Sequence, residues 1–358
     1  MANELTDKPK ADGETYDDRP FHSDNLPPEV RAPLAPFEGA EPPSPKWFQD
    51  AIAQEPERGF VTSHGAKLEV LTWGELGKPG LLLIHGNSAH ADWWSFIGPL
   101  LAKDFRVTAM SLAGMGASDW RETYRFTDFA DDAEAVSRST GLYDGGRKPV
   151  YIGHSFGGGQ VFFAAMQRPE NMHAAVLVDT GFGGPPPEAL EERKKRMEQI
   201  RNIPTADRPS RIYPTVAAAL ARFRLMPPQP TDNLYIADFI ARRSLKQVPM
   251  ADGSGMGWTW KFDPQMWEKL DRSAMTSMVT GSSPEPAAKD AVPMVHLYGD
   301  KSRIIESRRA GEPSVLAGRM REIEIPDSHH HVMIDQPLAL VAALRTLLAI
   351  WPDKTPTA

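Results

Sequence analysis

A serine set among glycines, a run of three histidines and a few well-placed aspartates are the residues of this chain that could do chemistry. Residues 149–159 read Pro-Val-Tyr-Ile-Gly-His-Ser-Phe-Gly-Gly-Gly. The apolar run from Val150 to Ile152 predicts a short strand, and Gln160 to Met166 suits a helix. Gly-x-Ser-x-Gly between a strand and a helix is a nucleophile elbow, a turn so tight that small residues must flank the serine. Gly153 and Gly157 supply that room. Ser155 is then expected on strained backbone, its hydroxyl exposed above a helix N-terminus. Such a hydroxyl becomes a nucleophile once a base takes its proton. The plainer reading is a glycine-rich turn with an incidental serine, and the strand before and helix after weigh against it.

Two further segments fit that chemistry. Leu81-Leu82-Leu83-Ile84 reads as a buried strand ending in His85-Gly86-Asn87-Ser88. Residues 326–337 read Pro-Asp-Ser-His-His-His-Val-Met-Ile-Asp-Gln-Pro, followed by an apolar-periodic helix from Leu338 to Ile350. Adjacent histidines in a loop rarely point at one ion, and no second ligand cluster stands out, so no metal is expected.

Together the segments resemble the α/β-hydrolase superfamily over roughly residues 59–351, and the resemblance implies a set of roles. The backbone amides of Asn87 and Phe156 would form an oxyanion hole, and His85 would pack its ring beneath the loop. Counting back from Asp335-Gln336-Pro337 makes His330 the base, with His329 where a glycine is usual. His329 and His331 receive no role. The acid departs from the family pattern, because the usual position after the seventh strand (Met294 to Tyr298) holds Ser302. A serine cannot supply the charge that fixes a histidine tautomer. Two carboxylates compete: Asp300, two residues early in the same loop, and Asp179, at the end of the sixth strand (Ala174 to Val178). Asp179 is preferred, since some superfamily members place the acid there, although others carry a purely structural aspartate at that point.

Composition sets the bounds. With 41% hydrophobic and 24% charged residues, 358 residues suffice for one large α/β core and an inserted subdomain. A formal charge of −7 disfavours nucleic acid or anionic membrane as partner. The absence of cysteine excludes disulfides, thiol catalysis and thiolate metal sites. No stretch approaches the ~20 apolar residues that span a bilayer, and Met1 to Lys10 is polar, so a cytoplasmic location follows by default.

The elements alternate as a doubly wound, mostly parallel sheet requires, with the site at the carboxyl ends of the strands. The core is expected over 59–182 and 292–358. Residues 1–58 form a proline-rich arm and a short helix around Trp47, Phe48 and Ile52. With nine prolines, residues 1–45 are expected to be extended or disordered, and could cover a pocket or support a homodimer. The turn Gly114-Met115-Gly116-Ala117-Ser118 reads as scaffold. Between 183 and 291 the alternation stops, and a mostly helical cap is expected, with helices over Pro185–Ile203, Thr215–Met226 and Asp232–Val248. Trp258, Trp260 and Met226 from the cap, with Trp93 and Trp94 beside the oxyanion loop, are candidate pocket walls for a small-molecule substrate. The expected activity is hydrolysis of a small to medium carboxylic ester or lactone, with no cofactor. Hydrolytic carbon–carbon cleavage, or a binding or receptor protein with little turnover, are the alternatives.

Overall fold

The computed structural model describes residues 26–181, 210–250, 252–274, 291–304 and 320–351. Eight strands build its central sheet: β1 (Glu57–Ser63), β2 (Ala66–Trp73), β3 (Gly80–Ile84), β4 (Arg106–Met110), β5 (Val150–His154), β6 (Ala174–Val178), β7 (Met294–Gly299) and β8 (Arg321–Ile325). Their order across the sheet is β1-β2-β4-β3-β5-β6-β7-β8. β2 runs antiparallel to both neighbours, and every pairing from β4 to β8 is parallel. The β1–β2 turn is His64-Gly65, both at positive φ (47° and 75°), the backbone that a two-residue hairpin demands.

β3, β4, β5 and β6 are buried at every residue because helices cover both faces, and β3 and β6 are accordingly apolar throughout. Alternate strand residues serve opposite faces. Leu82, Ile84, Met110 and Tyr151 pack with Phe129, Val136 and Val161 from the helices Phe126–Ser139 and Phe156–Gln167. Leu81, Leu83, Val107 and Ile152 join Trp94, Phe96 and the C-terminal helix Pro337–Ile350 on the other side. After β3 come a 3₁₀ turn, Ala91–Trp94, and one helical turn, Gly98–Leu101. Gly98 sits so close to the Trp73 ring that a Cβ would come within 2.8 Å of it.

Two expectations need correction. The arm folds back on its own chain from residue 26 onward: Val30 and Leu34 are buried at 9% and 2% exposure. Phe48, on the helix Lys46–Ile52, meets the rings of Phe96, Tyr235 and Phe239. Arg242 donates to the Gly39 carbonyl at 2.7 Å. Prolines removed helix and strand propensity from this stretch, but a few apolar side chains suffice to anchor it.

The cap is the second correction. Its expected first helix lies outside the described residues. The other two shorten to Val216–Leu220 and Leu234–Arg243, and a hairpin of Leu245–Pro249 with Met256–Trp260 follows. Val248, Trp258, Thr259 and Trp260 favour strand, and the hairpin gives them cross-strand partners that a helix would not. The cap returns to the core through the Gly114-Met115-Gly116 turn. There Gly116 donates to the Lys261 carbonyl at 2.8 Å, and Asp263 donates back to Gly114 at 2.7 Å.

Candidate active site

β5 runs directly into Ser155, whose backbone (φ 52°, ψ −115°) is one that side chains rarely adopt. The next residue opens the helix Phe156–Gln167. Packing dictates the flanking residues: a Cβ on Gly153 would collide with the Gly157 carbonyl, and one on Gly157 with the His85 carbonyl. The Ser155 N–H donates to Val178 at 2.9 Å, pinning the turn to β6. Its side chain stays half-buried and reachable.

His330, on the loop after β8, stands between the serine and an aspartate. Its Nε2 lies 3.0 Å from Ser155 Oγ, and its Nδ1 lies 2.7 Å from Asp179 Oδ1. Asp179 follows β6 at φ 45° and is fully buried. Its Oδ2 accepts the Gly299 N–H at 2.9 Å. Its Oδ1 also accepts the Ser302 hydroxyl at 2.6 Å. Ser302, the residue that made the acid ambiguous, thus serves the acid: the charge sits on the neighbouring strand end, and the usual loop contributes a donor. Asp300 accepts the Ser328 N–H at 2.9 Å. Slight burial raises its carboxyl, but the Ser328 and Asp327 N–H groups and the Lys301 charge hold it below the ordinary range. Of the two candidate carboxylates, Asp179 is the one joined to His330.

The loop after β3 comes over the elbow because residue 86 is glycine. A Cβ there would lie 2.9 Å from His154 Nδ1 and 3.3 Å from Ser155 Cβ. Among the described residues the N–H groups of Asn87 and Phe156 make no hydrogen bond within the protein. His85 is committed at both nitrogens: Nδ1 donates to the Gly86 carbonyl at 2.7 Å, and Nε2 accepts the Leu112 N–H at 3.0 Å. Burial pushes its pKa down to about 3, so it stays neutral. It is a brace beneath the loop.

The remaining histidines divide sharply. His329 donates its N–H to Asp335 at 2.8 Å and turns its ring to the same carboxylate at 3.0 Å. His331 points inward, buried, its ring centroid 5.3 Å from Trp93. His154, inside the elbow itself, holds the His330 carbonyl with Nε2 at 3.0 Å. Burial, with the neighbouring His330, drives the pKa of both His154 and His331 well below the ordinary histidine value. Gln229 of the cap completes the arrangement, accepting the His331 N–H at 2.9 Å while its amide donates to Asp335. No sequence pattern marks Gln229, whereas His154 stood inside the motif and went unread.

The candidate pocket walls fare unevenly. Trp94 is fully buried in the core and is not a wall. Trp258 and Trp260 pack with Tyr213 and Leu245 as the small interior of the cap, so their first task is to hold the hairpin. Trp93, at 7% exposure, lies against His331. Met226 is 40% exposed. Trp267, not anticipated, is 43% exposed and stacks edge-on against Phe156 with centroids 5.4 Å apart. Chemically, a serine on strained backbone, hydrogen-bonded to a histidine that an anion orients, can lose its proton and attack an electrophilic carbon. Two unpaired amides beside it can hold the oxygen that turns negative.

The fold agrees with the comparisons to known proteins. The model of the alpha/beta hydrolase family matches residues 81–344, and the chain belongs to that family. It is 30% identical over 190 residues to a serine hydrolase-like protein of zebrafish (Danio rerio), covering 49% of this chain and 56% of that protein. It is 28% identical over 159 residues to epoxide hydrolase 4 of mouse (Mus musculus), covering 42% of each. The chain thus spans about half the length of these two relatives. Among solved structures, an M. tuberculosis esterase superposes with a TM-score of 0.58 at 21% identity, over 91% of this chain and 99% of that one. Among the described residues, no helix is long and apolar enough to cross a membrane.

Proposed function

We propose that this protein hydrolyses a small to medium carboxylic ester or lactone through an acyl-enzyme on Ser155. One observation carries the reading: His330 bridges Ser155 Oγ at 3.0 Å and the buried Asp179 carboxylate at 2.7 Å, with the serine on a positive-φ elbow. As Ser155 Oγ bonds to the substrate carbonyl carbon, His330 Nε2 takes the hydroxyl proton. The carbonyl oxygen becomes an oxyanion held by the Asn87 and Phe156 amides. His330 then gives its proton to the departing alkoxide, leaving the acyl group on Ser155. Water, deprotonated by His330, reverses the sequence and frees the acid. Asp179 keeps Nδ1–H toward itself, so that Nε2 is the nitrogen facing the serine.

Epoxide opening in this superfamily uses an aspartate nucleophile, and this chain has Ser155 in that place. A receptor with little turnover would need no carboxylate behind His330, and the Asp179–His330 contact supports the hydrolase reading over it. A fluorophosphonate probe is expected to label wild type and spare folded Ser155→Ala. Equal labelling of both, or of neither, refutes the proposal. With p-nitrophenyl esters, short and medium acyl chains are expected to outrun long ones, and styrene oxide to go unconsumed.

A further inference from the structure

The three histidines nearest the serine make a cluster that hydrolysis does not require. His154, His330 and His331 are all buried, and one ring nitrogen from each lies within 4.8 Å of the other two. Ring centroids stand 4.8 Å apart for His154–His330 and His330–His331, and 5.3 Å for His154–His331. His154 commits Nε2–H to the His330 carbonyl, which leaves Nδ1 a bare lone pair without a partner. Among the described residues neither ring nitrogen of His331 has a hydrogen bond of ordinary geometry, although the Met226 backbone acts on the ring. Each unpaired buried group costs on the order of 1–3 kcal/mol. Packing alone gives no reason to bring unpaired nitrogens of two buried rings up against His330.

The chemistry of the group is that of an imidazole site for a metal ion. A ligating histidine usually donates its other N–H to a carbonyl or carboxylate, which fixes the tautomer and aims the free nitrogen. His154 does so to the His330 carbonyl, and His330 does so to Asp179. All three donors are nitrogens, a set that suits zinc or copper rather than magnesium or calcium.

We propose that His154, His330 and His331 bind one zinc or copper(II) ion, and that this ion withdraws His330 from Ser155. Metal–nitrogen bonds of about 2.0–2.1 Å set tetrahedral ligands roughly 3.4 Å apart. The rings must therefore close in, and His330 Nε2 must leave the serine hydroxyl, since Nδ1 is held by Asp179. The ion is an inhibitor, because occupancy and proton transfer compete for one nitrogen. Its inhibitory effect rests on the hydrolase reading; its binding does not.

Calorimetric titration of metal-free protein with zinc tests the site, alongside Ser155→Ala, His331→Leu and His154→Gln, each checked by circular dichroism. One saturable zinc site is expected in wild type and Ser155→Ala, weakened roughly tenfold or more in each histidine variant. The copper(II) form should show nitrogen hyperfine coupling in its electron paramagnetic resonance spectrum. Zinc should stop ester turnover, and a chelator should restore it. Absence of saturable binding, a copper spectrum without nitrogen coupling, or affinity unchanged in both variants overturns the site. Binding that leaves turnover intact overturns the inhibition. If Ser155 proves inert, the titration and the spectrum still decide whether the metal binds.

Discussion

Two buried polar clusters flank Ser155, equally dry and differently completed. Around Asp179 both carboxylate oxygens are engaged, by Gly299, Ser302 and His330, and beneath the oxyanion loop His85 uses both ring nitrogens. Behind His330, three ring nitrogens of His154 and His331 have no partner among the described residues. Asp179 is 0% exposed and His331 only 3%, so burial does not separate them. The difference is completeness. A filled network fixes one geometry, which proton transfer needs; an unfilled one costs stability and leaves donors for something else to use.

The sharpest way to break the comparison is to spoil the filled side. Asp179→Asn should keep the fold and cut kcat/KM about a thousandfold or more, because an amide can hold the ring in the wrong tautomer. Asp300→Asn, measured on the same activated ester, should change it by no more than a few-fold. A crippled Asp300→Asn beside a healthy Asp179→Asn would reverse the assignment. Ser302→Ala comes next, since it removes one donor and leaves Gly299 in place. It should cost roughly five- to a hundredfold in kcat, with KM little changed.

Stability sharpens the contrast at smaller scale. His85→Leu strands the Gly86 carbonyl and the Leu112 N–H and should lower unfolding free energy by about 2–4 kcal/mol. His331→Leu removes only unpaired nitrogens and should stay within about 1 kcal/mol of wild type, or exceed it. Urea midpoints compare the two directly, and equal losses would erase the distinction. Acid adds a last, graded effect. Burial pushes His85 down to about 3 and His90 to about 4, against 6.5 for the free side chain. The unfolded chain then binds more protons, so this stability is complete above pH 6.5 and drains as pH falls toward 4. The urea midpoint should fall measurably between pH 7 and 5, before most carboxylates titrate, and a flat profile there would contradict the burial argument.

Much of the machine was legible as text. Gly153, Ser155 and Gly157 sit in adjacent positions because the elbow is a local turn, and local sterics leave local patterns. His330 could be counted from Asp335-Gln336-Pro337 because the α/β-hydrolase resemblance implies a histidine a few residues ahead of that turn. The acid could not, since Asp179 and Ser302 are 123 residues apart and meet only because β6 and β7 pair. The hairpin in the cap was missed because Leu245–Pro249 borders an amphipathic helix and resembles its continuation. The folding back of residues 26–45 was missed because proline content argued for an open chain, while Val30 and Leu34 were too few to make a pattern.

The sequence by itself determined the alternating apolar runs, the elbow and the histidine loop, and hence a parallel sheet with a serine and a histidine at its carboxyl edge. Backbone preference and periodicity act over a few residues, so they are written in order along the chain. Tertiary structure alone decided which carboxylate orients His330, which tryptophan is core, and that His154 and His331 converge on one point. Those outcomes depend on which strands become neighbours and on hydrogen bonds spanning 102 to 176 residues, distances over which a linear pattern carries no geometry.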